Sequence, residues 1–244
     1  MQIVRKIIII TGLLALWQAA AMHVGLDLLL PSPASVLRAL WRLCSHKEFY
    51  LTCFMSLGRV LMGFILGVAL GAAGGALSTL SVWVRDAAEI VAAVFKAAPV
   101  ASFIILALVW LQRGRVPVLA SFLIVMPMVY TNVYTGIRQT DEKLIEMSRA
   151  FGVKGPDRIF RLYIPSVKPY FIAASTTAMG MAWKAGIAAE VIASPKHSIG
   201  SYMNGAKIYL NTPELFAWTL AAVALSLALE RLIKAAAKRK GGAA

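Results

Sequence analysis

Long apolar stretches alternate along this chain with short clusters of Arg, Lys, Pro and Gly, a rhythm that predicts membrane-crossing helices. A helix needs about 20 mostly apolar residues to cross a bilayer. Six stretches qualify: Ile7 to Met22, Phe54 to Leu80, Ala87 to Leu111, Val116 to Tyr134, Tyr170 to Ile192 and Leu215 to Ile233. The third is interrupted by Lys96 and Pro99, and because proline removes a backbone donor a break is predicted there. The fourth carries Pro117 near its start and Pro127 inside it. Arg5 and Lys6, an apolar core and Ala19-Ala20-Ala21 also give the first stretch the outline of a secretory signal peptide. With further spans behind it, it reads as an uncleaved first helix. The expected fold class is all-α, a polytopic membrane protein with six transmembrane helices. Residues 1–244 form one transmembrane domain, with its core at about 54–233.

Two shorter patterns add detail. After the first span, Ser32 can cap a helix with Pro33 in its first turn. Val36, Leu37, Leu40, Trp41 and Cys44 then recur at helical spacing opposite Arg38 and Arg42, which predicts an amphipathic helix lying at the membrane surface. In the second span, Gly63, Gly67, Gly71 and Gly75 fall on one helical face, where another helix can approach closely. The spacing specifies closeness; packing within the chain and packing between two copies both satisfy it.

Composition agrees with the pattern. Of 244 residues, 59% are hydrophobic and 15% charged, and the mean hydropathy is +0.74. Soluble domains carry about 45–50% apolar and about 25% charged residues. The 25 Lys and Arg against 11 Asp and Glu give +14. In a soluble chain that excess would suggest nucleic acid; set between apolar runs it orients the protein in a lipid bilayer, and no nucleic acid is expected. One side receives Arg5, Lys6 and Arg85, the seven basic residues from Arg138 to Lys168, and the five from Arg231 to Lys240. The other receives Arg38, Arg42, Lys47, Arg113, Arg115, Lys196 and Lys207. Both termini and the connection after the fourth span are therefore expected in the cytoplasm. Cys44 and Cys53 offer no disulfide framework, and His23, His46 and His197 are too scattered for a haem or metal centre, so no metal or cofactor is expected.

An ionisable residue inside a span is costly enough to be a candidate for function. Arg59 lies near the outer end of the second span and can snorkel. Lys96 precedes the Pro99 break, and broken helices line polar paths because their freed carbonyls need polar surroundings. Lys184 and Glu190, six residues apart, point about 120° apart on a helix and so need other partners. Lys96 with Glu190 is one pairing the sequence allows. Lys96, Pro99, Lys184 and Glu190 are thus either path-lining residues or members of buried structural ion pairs.

The stretch from Thr140 to Pro165, TDEKLIEMSRAFGVKGPDRIFRLYIP, is the most informative. Thr140 is the expected N-cap, Asp141 and Glu142 suit the first turn, and Leu144, Met147 and Phe151 share an apolar face. Gly152 ends the helix, and Lys154-Gly155-Pro156-Asp157 turns the chain into a second short helix that runs to Pro165. This helix-turn-helix resembles the cytoplasmic loop of permease subunits of binding-protein-dependent ABC importers, E-A-A, three residues, G, nine residues, I-x-L-P. Glu146-Met147-Ser148 stands for E-A-A, Gly152 is in register, and Leu162-Tyr163-Ile164-Pro165 stands for I-x-L-P. Leu30-Pro31-Ser32-Pro33, the stretch from Met181 to Glu190, and Ser198-Ile199-Gly200 are similar to the nitrate, sulfonate and taurine branch.

The resemblance implies a permease working as a pair of copies, with two cytoplasmic ATPase subunits docked on the loops and an external binding protein delivering a small solute. Glu146, Met147, Ser148, Arg149, Gly152 and Pro165 would couple ATPase movement to the spans, and Lys96 or Lys184 would favour an anion in the path. The chain holds no G-x-x-x-x-G-K-[ST] segment to wrap phosphates, Gly205-Ala206-Lys207 coming nearest, so it is not expected to be an enzyme itself. The competing class is a stand-alone secondary carrier or channel. Such carriers often repeat a broken helix, and no second copy of the Pro99 break is evident.

Overall fold

The computed structural model describes residues 2–241, apart from the side chains of residues 2–3, 234 and 236–241. Lys234, Lys238, Arg239 and Lys240, counted above with the cytoplasmic cations, therefore have side chains outside the described residues. Every element within them is helical: α1 (Gln2–Val24), α2 (Pro33–Cys44), α3 (Lys47–Leu77), α4 (Val82–Ala97), α5 (Val100–Trp110), α6 (Val116–Arg138), α7 (Glu142–Ala150), α8 (Gly155–Arg158), a π-helical segment (Ile159–Tyr163), α9 (Ile164–Ala193), α10 (Ile199–Ile208) and α11 (Thr212–Gly241).

The six expected spans resolve unequally. Val4–Val24, Lys47–Leu77, Val116–Arg138 and Thr212–Ile233 are long and apolar enough to cross a membrane, and α4 with α5 make a fifth if the bent pair is one span. Those two helices meet at 103°, with the break at Ala98 and Pro99, where the sequence places it. The helix expected as the fifth span, α9, has 30 residues but is not among the strongly apolar helices. Its small and polar residues, such as Ala174, Ser175, Ala178, Ala182 and Gly186, are buried against neighbouring helices. A helix surrounded by protein has no need of lipid-like side chains.

The packed body is α3, α6 and α9. The glycine face of α3 lies on α6 of the same chain, which decides between the two kinds of packing left open above. A Cβ at Gly67 would stand 2.7 Å from Val125 Cβ, and one at Gly71 would stand 2.6 Å from Met126 O. Val60, Val125, Val129, Ala178, Met179, Ala182 and Trp183 form the core between these helices, and Trp218 of α11 closes it. Trp183 Nε1 donates to Ala222 O at 3.0 Å, so the buried indole is satisfied. Ser32 caps α2 as expected, accepting from Ser35 N. Val36 is fully buried, whereas Leu37 and Trp41 stay exposed, as a helix at a lipid surface requires. In contrast, α1 packs little on its own chain, and Ala21 is its one buried residue among those described.

Candidate functional site

Two regions hold the residues singled out from the sequence. The first is the 140–165 loop. The N-cap of α7 is Asp141, accepting from Lys143 N at 2.9 Å. Thr140, the expected cap, is instead buried beneath the end of α6, and its hydroxyl donates to Gly136 O. Both residues can cap; the carboxylate adds a favourable charge at the helix N-terminus, and tertiary burial removes the threonine. At the other end Val153 N donates to Ser148 O and Gly152 N to Arg149 O, with Gly152 at φ +66. This Schellman closure uses glycine where a Cβ would be strained. Glu146, Met147 and Arg149 are exposed, as is Phe151, and Ser148 is buried with its hydroxyl on Ile145 O.

Beyond the turn the structure departs from two separate short helices. The segment from α8 through Ile159–Tyr163 runs without interruption into α9, and Ile164 N reaches back five residues to Ile159 O. Pro165 and Pro169 lack the N–H groups that would bond Arg161 O and Pro165 O, so the first turns of α9 cannot complete a regular ladder. Clefts of about 560 and 330 Å³ flank the segment, and Ile159 and Tyr163 line both. The arrangement is a projecting helix with exposed apolar residues, joined by one continuous helical rod to a central helix of the bundle.

The second region is the set of charges within the helices. Lys96 does not meet Glu190. Its Nζ donates to Thr131 Oγ1 at 2.9 Å, and Thr131 donates to Pro127 O at 2.8 Å. The polar chain thus links the Pro99 break to the proline of α6. Lys184 is exposed on α9. Glu190, on the same helix but fully enclosed, pairs with Arg59 at 3.1 Å. Arg59 and Glu190 lie 131 residues apart in sequence, and only the packing of α3 on α9 brings them together. Ser56 and Gly200 complete that cluster, and neither carries a local signal that could have revealed it. The sequence also gave no hint of Tyr202, whose phenol donates to Glu48 Oε1 at 2.6 Å. Burial first, then that hydrogen bond, pushes the phenol up to about 12, so it remains a donor at neutral pH.

A family described as binding-protein-dependent transport system inner membrane component matches residues 58–240. A probable ABC transporter permease protein of Brucella melitensis is 33% identical over 218 residues, 86% of this chain and 85% of its own. A nitrate import permease protein of Synechococcus elongatus is 27% identical over 73% of this chain and 68% of its own. A protein of Escherichia coli K12 named for aliphatic sulfonates transport is 29% identical over 82% of this chain and 77% of its own. Among solved structures, the MetNI methionine ABC transporter superposes with a TM-score of 0.55 at 17% identity, over 84% of this chain and 93% of that one, a likeness of fold.

Proposed function

This chain belongs to the family of binding-protein-dependent transport system inner membrane components, and from that premise we propose how it works as the multi-pass permease subunit of an ABC importer. Two cytoplasmic ATPases dock on the 140–165 loops of two identical permease copies, and a separate external binding protein delivers the solute. ATP is hydrolysed by those partners, and both termini of the permease face the cytoplasm. The whole chain acts as one permease domain. The observation that carries this reading is α7, a charged helix that presents Met147 and Phe151 to solvent at 52% and 79% exposure. Exposed apolar residues on a short capped helix suit a groove on a partner.

Coupling follows from continuity. When the ATPases close, α7 moves with them, with Glu146, Met147 and Arg149 as contact positions, Ser148 closing the turn beneath them and Gly152 as the fixed break. The rod through Pro165 carries that movement into α9, and α9 packs on α6 and α3. Lys96, Pro99 and Lys184 line the path, and Glu190 is the member of a buried ion pair behind it. The solute is a small molecule with a negatively charged group, such as a sulfonate, taurine or nitrate; the sulfonate and nitrate names of two relatives and the two lysines support that class.

A photoreactive residue at Arg149, activated in native membranes, is expected to capture a P-loop ATPase. Repeated failure there and at Met147, with the permease present and folded, would point to a stand-alone carrier. Lys96→Met and Lys184→Met are each expected to lower uptake of the native anion; full uptake by both variants removes the lysines from the path.

A further inference from the structure

We infer that Arg59 and Glu190 are positioning residues that clamp α10, the short helix between α9 and α11, to the outer ends of α3 and α9. This rests on the permease reading for its role in transport, though the clamp itself is geometric. Glu190 is wholly enclosed and both its oxygens are engaged: Oε1 accepts from Arg59, and Oε2 accepts from Ser56 Oγ at 2.7 Å and from Gly200 N at 3.2 Å. Ser56 Oγ also accepts from Ile199 N at 3.0 Å. The Arg59 guanidinium, whose side chain is 13% exposed, donates further to Lys196 O at 2.8 Å and His197 O at 3.1 Å. The backbone entering α10 is therefore held at four positions, 196, 197 and 200 by the pair and 199 by Ser56.

Two further observations point the same way. A Cβ at Gly200 would overlap Glu190 Cβ and Val191 N, so α10 sits directly on the α9 backbone. Among the described residues, the non-glycine positions with left-handed backbone are Ser194, His197 and Leu210, and they flank α10 on both sides. Such conformations persist where surrounding structure over-determines them. A buried ion pair is a poor source of stability beside apolar packing, and its best-attested use is to fix one arrangement. Here it fixes α10 against two helices at once, so α3 and α9 cannot change their relation at that end without displacing α10. The clamp restrains the rearrangement that ATP hydrolysis drives until a loaded binding protein offsets it.

Hydrogen exchange of the full chain in lipid nanodiscs tests the clamp. In the double variant Arg59→Leu/Glu190→Leu, which leaves no isolated buried charge, amide 200 is expected to exchange about tenfold faster, the change expected from losing one charge-assisted hydrogen bond, and amide 199 to follow to a lesser degree because the Ser56 hydroxyl that accepts from it is no longer oriented by Glu190. Gly200→Ala should give the same local loss with both charges intact, and Arg59→Lys should keep most of the protection at 200. Unchanged exchange at 199–200, or exchange that rises equally along α3 and α9, overturns the clamp. Copurified with its ATPase, the double variant is expected to hydrolyse ATP severalfold faster than the parent in the absence of binding protein; an unchanged rate overturns the restraint on the cycle. A chain that never carries an ATPase would instead overturn the permease reading and leave the exchange result standing.

Discussion

At the scale of single residues, the glycines of α3 differ in what they permit. A Cβ at Gly71 meets a backbone oxygen, Met126 O, at 2.6 Å, and backbone cannot rotate away. A Cβ at Gly74 finds only Tyr130 Cδ2 at 3.6 Å, ordinary contact. Gly71→Ala is therefore expected to force α3 from α6 and lower stability by about 1–3 kcal/mol, whereas Gly74→Ala should be neutral or gain about 0.5–1 kcal/mol from helix entropy. Thermal unfolding in detergent separates the two, and equal effects would mean that α3 and α6 are not in this contact. The four-residue spacing was legible in the sequence, and so was the need for small residues. The identity of the facing helix was not, because a glycine stripe carries no label for its partner.

At the scale of elements, α7 shows how local chemistry and burial share a decision. Thr140 and Asp141 are adjacent and both can cap, and the helix start shifts to Asp141 because Thr140 is buried beneath α6. Asp141→Ala should lower protection of the α7 amides by about 1 kcal/mol, and Thr140→Ala should leave the cap intact. Gly152→Ala, at φ +66, is expected to cost about 1–2 kcal/mol in the Schellman turn, with Gly152→Asn milder. Amide exchange over residues 148–153 reads both. The break at Pro99 was legible because proline acts through its own missing donor. The continuous link into α9 was not legible, and the second short helix expected to run to Pro165 joins it through a π-helical segment, since that register depends on how α9 seats against α6.

At the scale of the whole molecule, the distribution of Lys and Arg predicts an orientation that a reporter can check. Green fluorescent protein fused at the C-terminus should fluoresce, and a cysteine replacing Lys207 should react with a membrane-impermeant maleimide in intact cells, in a Cys44→Ser/Cys53→Ser background. The reverse result would invert the assignment of sides. By itself the sequence determined what depends on neighbours along the chain: apolar length, the Ser32 cap, the Pro99 break, and a loop pattern shared with importer permeases. Tertiary structure alone decided which helix the glycine face meets, that α9 is a buried helix of small residues, and that Glu190 belongs to Arg59 and not to Lys96. Those outcomes depend on which surfaces pack across long stretches of chain, 61 residues between Ser121 and Ala182 and 131 between Arg59 and Glu190. A buried charge takes whatever partner that packing brings within hydrogen-bonding distance.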